Sequence, residues 1–163
     1  MKTKFTLFIL FFISFVSAQT KETKKIENVF KQTKKIEILA YYDRNKWDDS
    51  DNPNYLKVNY IKNNKIEINE KYLKNRIVLT QSQIKKLKKR LSSCKSSIHE
   101  VAKCYMPRHA IIFYDENDYV FGYIELCFDC NGSDSSPNLK FLSECALRQE
   151  NLFKEFGITH FKD

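Results

Sequence analysis

The sequence predicts an α+β fold, an antiparallel sheet with a central hairpin and two main helices packed on it. Three observations predict it. Runs of strand length recur at residues 35–42, 55–61, 65–69, 76–80, 110–114 and 119–128. A capped amphipathic segment opens at Thr80, and a second helical stripe runs over residues 137–157. Glycine and proline number only three each, no low-complexity linker divides the chain and no repeat is visible. Residues 19–163 therefore read as one domain, whose 145 residues suffice to bury roughly 68–70% of the unfolded surface.

The segment before that domain is a leader. Lys2 and Lys4 precede an apolar run at 5–16 (FTLFILFFISFV), and Ser17 and Ala18 follow as small residues. This is the pattern of a secretory signal peptide over residues 1–18, with the mature chain starting at Gln19 and exported to a periplasmic or secreted destination. The run has twelve residues where a span needs about 20, so no stable membrane insertion is expected. Gln19 rather than a cysteine follows the cut, so a lipid anchor is not implied. Loss of Lys2 and Lys4 leaves 26 basic against 20 acidic residues, a charge of +6. Such a balance suits solubility or an anionic partner, and export makes nucleic acid the poorer partner.

Taken in order, residues 20–35 are charged, with Ile26, Val29 and Phe30 at helical spacing, and form a short helix or a mobile lead-in. Residues 35–42 (KIEILAYY) read as a strand and 43–54 as a loop. YLKVNYI and KIEIN, joined through KNN, read as a hairpin, and RIVLT as a further strand. Thr80 and Gln83 match a capping box for a helix to about Ser93. Its apolar stripe is Ile84, Leu87, Leu91 and Cys94; Lys85, Lys86, Lys88, Lys89 and Arg90 cover the other faces. The stripe is narrow and lacks aromatics, which suits a core-packed helix with a solvated basic face.

AIIFY and YVFGYIELCF flank the turn tetrad DEND and form the central hairpin. If Tyr114 pairs with Tyr119, Arg108 lies opposite Glu125, Ala110 opposite Tyr123 and Ile112 opposite Phe121. Side chains alternate along a strand. One face then carries Arg108, Ile112, Tyr114, Phe121, Tyr123 and Glu125, and the other His109, Ile111, Phe113, Val120, Ile124 and Leu126. The same pairing brings Cys104 to Cys127 and Cys130. Ser135, Ser136 and Pro137 then open one last helix, with Leu139, Leu142, Ala146, Phe153 and Phe156 inward. Gly157 ends it, and ITHF is a tail placed to dock back.

The chemistry centres on five cysteines, which allow fifteen ways of making two bridges with one thiol left over. Export favours disulfides among Cys94, Cys104, Cys127, Cys130 and Cys145. A zinc site of Cys104, Cys127, Cys130 and Cys145 is the sharper alternative, although a second CxxC is absent. Redox work by Cys127 and Cys130 is the third, although their CxxC ends a strand rather than opening a helix. Arg108, His109, Tyr123 and Glu125 are the candidate binding residues. A guanidinium beside tyrosines suits a small anionic ligand, and a partner protein is the other expectation. There is no G-x-S-x-G, H-E-x-x-H or P-loop, no catalytic residue is singled out, and no cofactor beyond that zinc is implied.

The blocks YYDRNKW, CYMPRHAIIFYD and GYIELCFDC, a later Cys145 with Gln149, and the closing GITHF resemble a group of small exported bacterial proteins of unknown function. CY-x-PRH and E-x-CF-x-C are its more specific parts. The resemblance implies a coherent domain in which Cys104, Arg108, His109, Glu125, Cys127, Cys130 and Cys145 belong together, and it implies no reaction. The resulting expectation is an exported binding or interaction module held by disulfides, with a thiol-based protein as the alternative.

Overall fold

The computed structural model describes residues 22–48, 51–94 and 105–162. The chain divides into two compact units, Met1–Gln32 and Thr33–Asp163. In the first, residues 22–32 form a helix, α1, with Ile26 and Val29 buried three residues apart. The signal peptide expected at residues 1–18 lies outside the described residues.

The second unit is α+β. Its strands are β1 (Lys35–Tyr41), β2 (Ile61–Lys62), β3 (Lys65–Ile66), β4 (Leu73–Val78), β5 (His109–Tyr114), β6 (Val120–Cys127) and β7 (Gly132–Ser135). Its helices are α2 (Gln81–Ser93), α3 (Lys140–Leu147) and α4 (Glu150–Phe156). Among the described residues the main sheet has five antiparallel strands in the order β4-β1-β5-β6-β7. β2 and β3 make a separate two-stranded ladder. The expected hairpin is therefore central, with β1 on one side and β7 on the other.

The sheet buries two different faces. Leu39, Tyr41, Ala110, Ile112, Tyr114 and Val120 form one core with Trp47, Tyr60, Ile68 and Tyr72 from the segment between β1 and β4. On the other side, Phe153 of α4 sets its ring edge to His109, and Leu139 closes on Gly122. Gly122 is required there, because a Cβ would stand 2.6 Å from Leu139 Cδ1.

The helix at 81–93 follows its sequence signature. Thr80 Oγ1 accepts from Gln83 N at 3.3 Å, and Gln83 Oε1 accepts from Thr80 N at 2.8 Å. Leu87 and Leu91 are buried inward, and Cys94 is bonded to Cys145 of α3.

Several expectations are corrected. The hairpin slips by two: His109 pairs with Leu126, Ala110 with Glu125 and Ile112 with Tyr123, so Arg108 is not opposite Glu125. Phe113 pairs with Gly122 but Tyr114 with Val120, so Phe121 is an extra residue, a bulge. The bulge exchanges two faces: Val120 joins the core of Tyr114, and Phe121 turns to Phe113 with ring centroids 6.3 Å apart. The expected hairpin at 55–69 shrinks to two residues per strand. Asn63 and Asn64, both at positive φ, turn it, while the carbonyls of Tyr55 and Lys57 turn to Arg44. The fourth strand lies at Leu73–Val78 rather than at 76–80.

The last helix is two helices. At Arg148 and Gln149 the backbone tightens to bonds onto Cys145 O and Ala146 O, and the Gln149 amide donates to Cys145 O at 3.0 Å. Gly157, at φ 104°, ends α4 as expected. The tail docks back: Asn75 Oδ1 accepts from the backbone N of Thr159 and His160 at 3.0 and 3.2 Å.

Candidate functional site

A short turn after β1 builds the site. Asp43 Oδ1 accepts from Asn45 N at 3.2 Å and starts a 3-10 turn, Arg44–Lys46. That turn directs Arg44 inward, where the residue has no solvent exposure. Its guanidinium donates to Asn59 Oδ1 at 2.9 Å and to the carbonyls of Tyr55 and Lys57. It also lies 4.2 Å from the Trp47 ring centroid and 3.7 Å from Glu125 Oε1. A charge that deep needs a countercharge and acceptors: Glu125 supplies the first, and Asn59 with the carbonyls of Tyr55 and Lys57 supplies acceptors for Nη2.

Glu125 is fully buried on β6. Tyr41 Oη donates to its Oε1 at 2.5 Å, Tyr60 Oη to the same oxygen at 2.9 Å, and Tyr105 Oη to Oε2 at 3.4 Å. Burial pushes the carboxyl up from 4.5 to about 7, against the opposing pull of Tyr41, Arg44 and Tyr60. The same burial, then the nearby Glu125, holds the phenols of Tyr41 and Tyr60 well above their ordinary range, so both stay protonated donors. In this conformation the carboxyl is sealed from solutes. Its role is to hold Tyr41, Tyr60 and Arg44 in place.

These groups back an open cleft of about 200 Å³ lined by Trp47, Asp48, Asn59, Tyr60, Lys62, Glu67, Asn69 and Tyr72. Trp47 stacks on Tyr72 with centroids 4.8 Å apart and planes 6° from parallel. Its Nε1–H donates to Tyr42 O at 3.0 Å, and Tyr72 Oη accepts from Asp48 N at 2.7 Å. The aromatic wall is therefore fixed before any ligand arrives. The rim carries both signs: Asp48 pairs with Lys71 at 2.5 Å and Glu67 with Lys62 at 3.8 Å. The Lys71 hydrogen bond holds the Asp48 carboxyl below its ordinary range.

The structure distributes the sequence-selected residues differently. Arg108 gives Nη2 to Asp43 Oδ2 at 2.7 Å and Nη1 to Met106 O at 3.3 Å, with Asp129 at 3.9 Å. It braces the turn that positions Arg44. Arg44, not Arg108, is the cation beside Glu125. Tyr123 flanks the core of Tyr41, and burial raises its phenol to about 12. His109 is a core histidine: Nε2–H donates to His160 O at 2.8 Å, and Phe128, Phe153 and Phe161 surround the ring. Its Nδ1 is buried without a hydrogen-bond partner, and burial lowers its pKa to about 4.

Four cysteines form two bridges, Cys94–Cys145 and Cys127–Cys130, with Cα atoms 5.7 and 5.4 Å apart. The expected meeting of Cys104 with Cys127 or Cys130 lies outside the described residues. The zinc grouping is not assembled as drawn, because the sulfurs of Cys145, Cys127 and Cys130 are all in disulfides. Cys127 and Cys130 are 2% and 4% exposed, which bars a substrate thiol from the bridge. Among the described residues no helix is long and apolar enough to cross a membrane.

Tyr41, Arg44, Trp47, Tyr60, Tyr72 and Tyr105 were invisible as a site. Their one sequence signal is the Asp43-x-Asn45 turn inside YYDRNKW, which turns a charged residue inward. No family model, no curated protein and no solved structure matches the chain.

Proposed function

We propose that this chain is an exported, disulfide-stabilised binding module that takes a small polar ligand in the cleft beside Trp47. The observation that carries this reading is the preformed wall. Trp47 and Tyr72 are stacked and tied by hydrogen bonds, and Tyr60 is held from behind by Glu125. A site fixed in advance loses little ordering entropy when it binds. Asn59 and Asn69 beside Asp48, Glu67 and Lys62 suit a ligand with both donors and acceptors, zwitterionic or neutral. The anionic ligand expected at Arg108 is less well supported, since that guanidinium is given to Asp43. Export is supported by the leader and by two disulfides, which persist in oxidising compartments. The thiol-based alternative is not favoured, given the burial of Cys127 and Cys130.

The test is a thermal-shift screen with three probe classes: free amino acids and dipeptides, mono- and disaccharides, and small carboxylates with phosphate. The reading expects a saturable rise in melting temperature with one of the first two classes, lost in Asn69→Leu. A rise with anions alone, abolished by Arg108→Ala and untouched by Asn69→Leu, overturns it in favour of the Arg108 site.

A further inference from the structure

We infer that the outward face of α2 is a docking surface for an anionic phospholipid membrane. Lys85, Lys86, Lys89 and Arg90 are all exposed. Lys85 and Lys89, like Lys86 and Arg90, are four residues apart and so lie together on one side. Leu87 and Leu91, at 0% and 1% exposure, hold the opposite side in the core. The Thr80 capping box at one end and the Cys94–Cys145 bridge at the other prevent the helix from rolling.

The face is charged against its own interest. α2 contains no acidic residue, and its first turn has none where the macrodipole would favour one. Like charges at i,i+4 destabilise a helix, and here two such pairs stand side by side. Lys86 meets Glu155 of α4, whereas Lys85, Lys89 and Arg90 make no ion pair with any of the described residues. A concentration of cations with so little internal compensation fits a partner that brings many negative charges at once. The charged side is the outer side of a single helix, and the fully buried apolar side chains of α2, Leu87 and Leu91, lie opposite it. Those features suit a flat layer of lipid phosphates, bound by charge alone and released by salt. The leader directs the chain across a membrane and away from nucleic acid.

The test is co-sedimentation of the full chain with vesicles of phosphatidylcholine alone, and of phosphatidylcholine with phosphatidylglycerol. Lys85→Glu/Lys89→Glu/Arg90→Glu is compared with Lys34→Glu/Lys57→Glu/Lys65→Glu, which alters exposed lysines elsewhere and changes the net charge by the same amount. The wild type should bind the anionic vesicles and leave the neutral ones. The α2 variant should lose roughly hundredfold in affinity, and the other should stay within about threefold. Lys85→Gln/Lys89→Gln/Arg90→Gln, which keeps good helix formers, should fall between. Equal losses in both charge-reversed variants, equal binding to neutral vesicles, or no wild-type binding would each overturn the inference. So would a loss seen only with a DNA duplex as probe.

Discussion

Replacing Glu125 by Gln is expected to turn a nearly flat pH profile of stability into a rising one. Two buried groups titrate in opposite directions. The Glu125 carboxyl is raised from 4.5 to about 7 in the fold. Its contribution to stability is therefore full below the unfolded value and is lost as pH rises through about 7. His109 is lowered from 6.5 to about 4. Its contribution is present above the unfolded value and is lost as pH falls toward about 4. Between about pH 5 and 7 each change amounts to about 2 kcal/mol, and the two offset each other. Urea unfolding at several pH values through this window reads the balance. In Glu125→Gln, stability should climb with pH by about 2 kcal/mol, the His109 term alone. In His109→Phe it should fall by a similar amount, the Glu125 term alone. Stranding Arg44 in the first variant, or losing the His160 hydrogen bond in the second, moves the intercept and not the slope. Variant profiles parallel to the wild type would refute the titration of both groups in this range.

Other outcomes follow from the same geometry. Cys94 and Cys145 are 51 residues apart and Cys127 and Cys130 only three, so Ala at the first pair should cost about 4 kcal/mol and at the second about 2 in urea unfolding. Arg44→Ala, which leaves Glu125 buried without its countercharge, should cost about 3–5 kcal/mol. Arg108→Ala, at a partly exposed pair, should cost less, about 1.5–3 kcal/mol, and equal melting temperatures for these two variants would contradict the roles assigned. Gly122→Ala should destabilise by about 1–3 kcal/mol through overpacking, because the Leu139 it meets is itself fully buried. Mass analysis of exported chain should show residues 1–18 removed; retention of the apolar run would contradict the leader.

The α+β class was legible because its strongest elements satisfy local and tertiary demands together. β1, β5, β6 and α2 carry apolar runs, a turn or a cap that need no distant information. β7 was not legible: Gly132, Ser133, Asp134 and Ser135 are poor strand formers, and they pair because β6 offers them an edge. The break between α3 and α4 depends on the Gln149 amide reaching Cys145 O, which periodicity does not reveal. The turn, which pairs Tyr114 with Val120 instead of Tyr119, and the bulge at Phe121 each shift the register by one, and together they moved Glu125 from Arg108 to Ala110. The site failed for a related reason. Arg44 sits in a segment that reads as a polar loop, and its burial depends on carbonyls at Tyr55 and Lys57 and a carboxylate at Glu125 that only the fold assembles.

Trp47 is the single tryptophan of the chain, and it lines the cleft. Its emission under selective excitation, titrated with the amino-acid, dipeptide and sugar probes, therefore tests the proposed site most directly. A saturable change with one class, weakened in Asn69→Leu and Glu67→Gln and retained in Lys85→Glu/Lys89→Glu/Arg90→Glu, is the predicted result. Emission that stays unchanged across all of these probes, in a chain with both disulfides shown intact by mass, would contradict a ligand site beside Trp47.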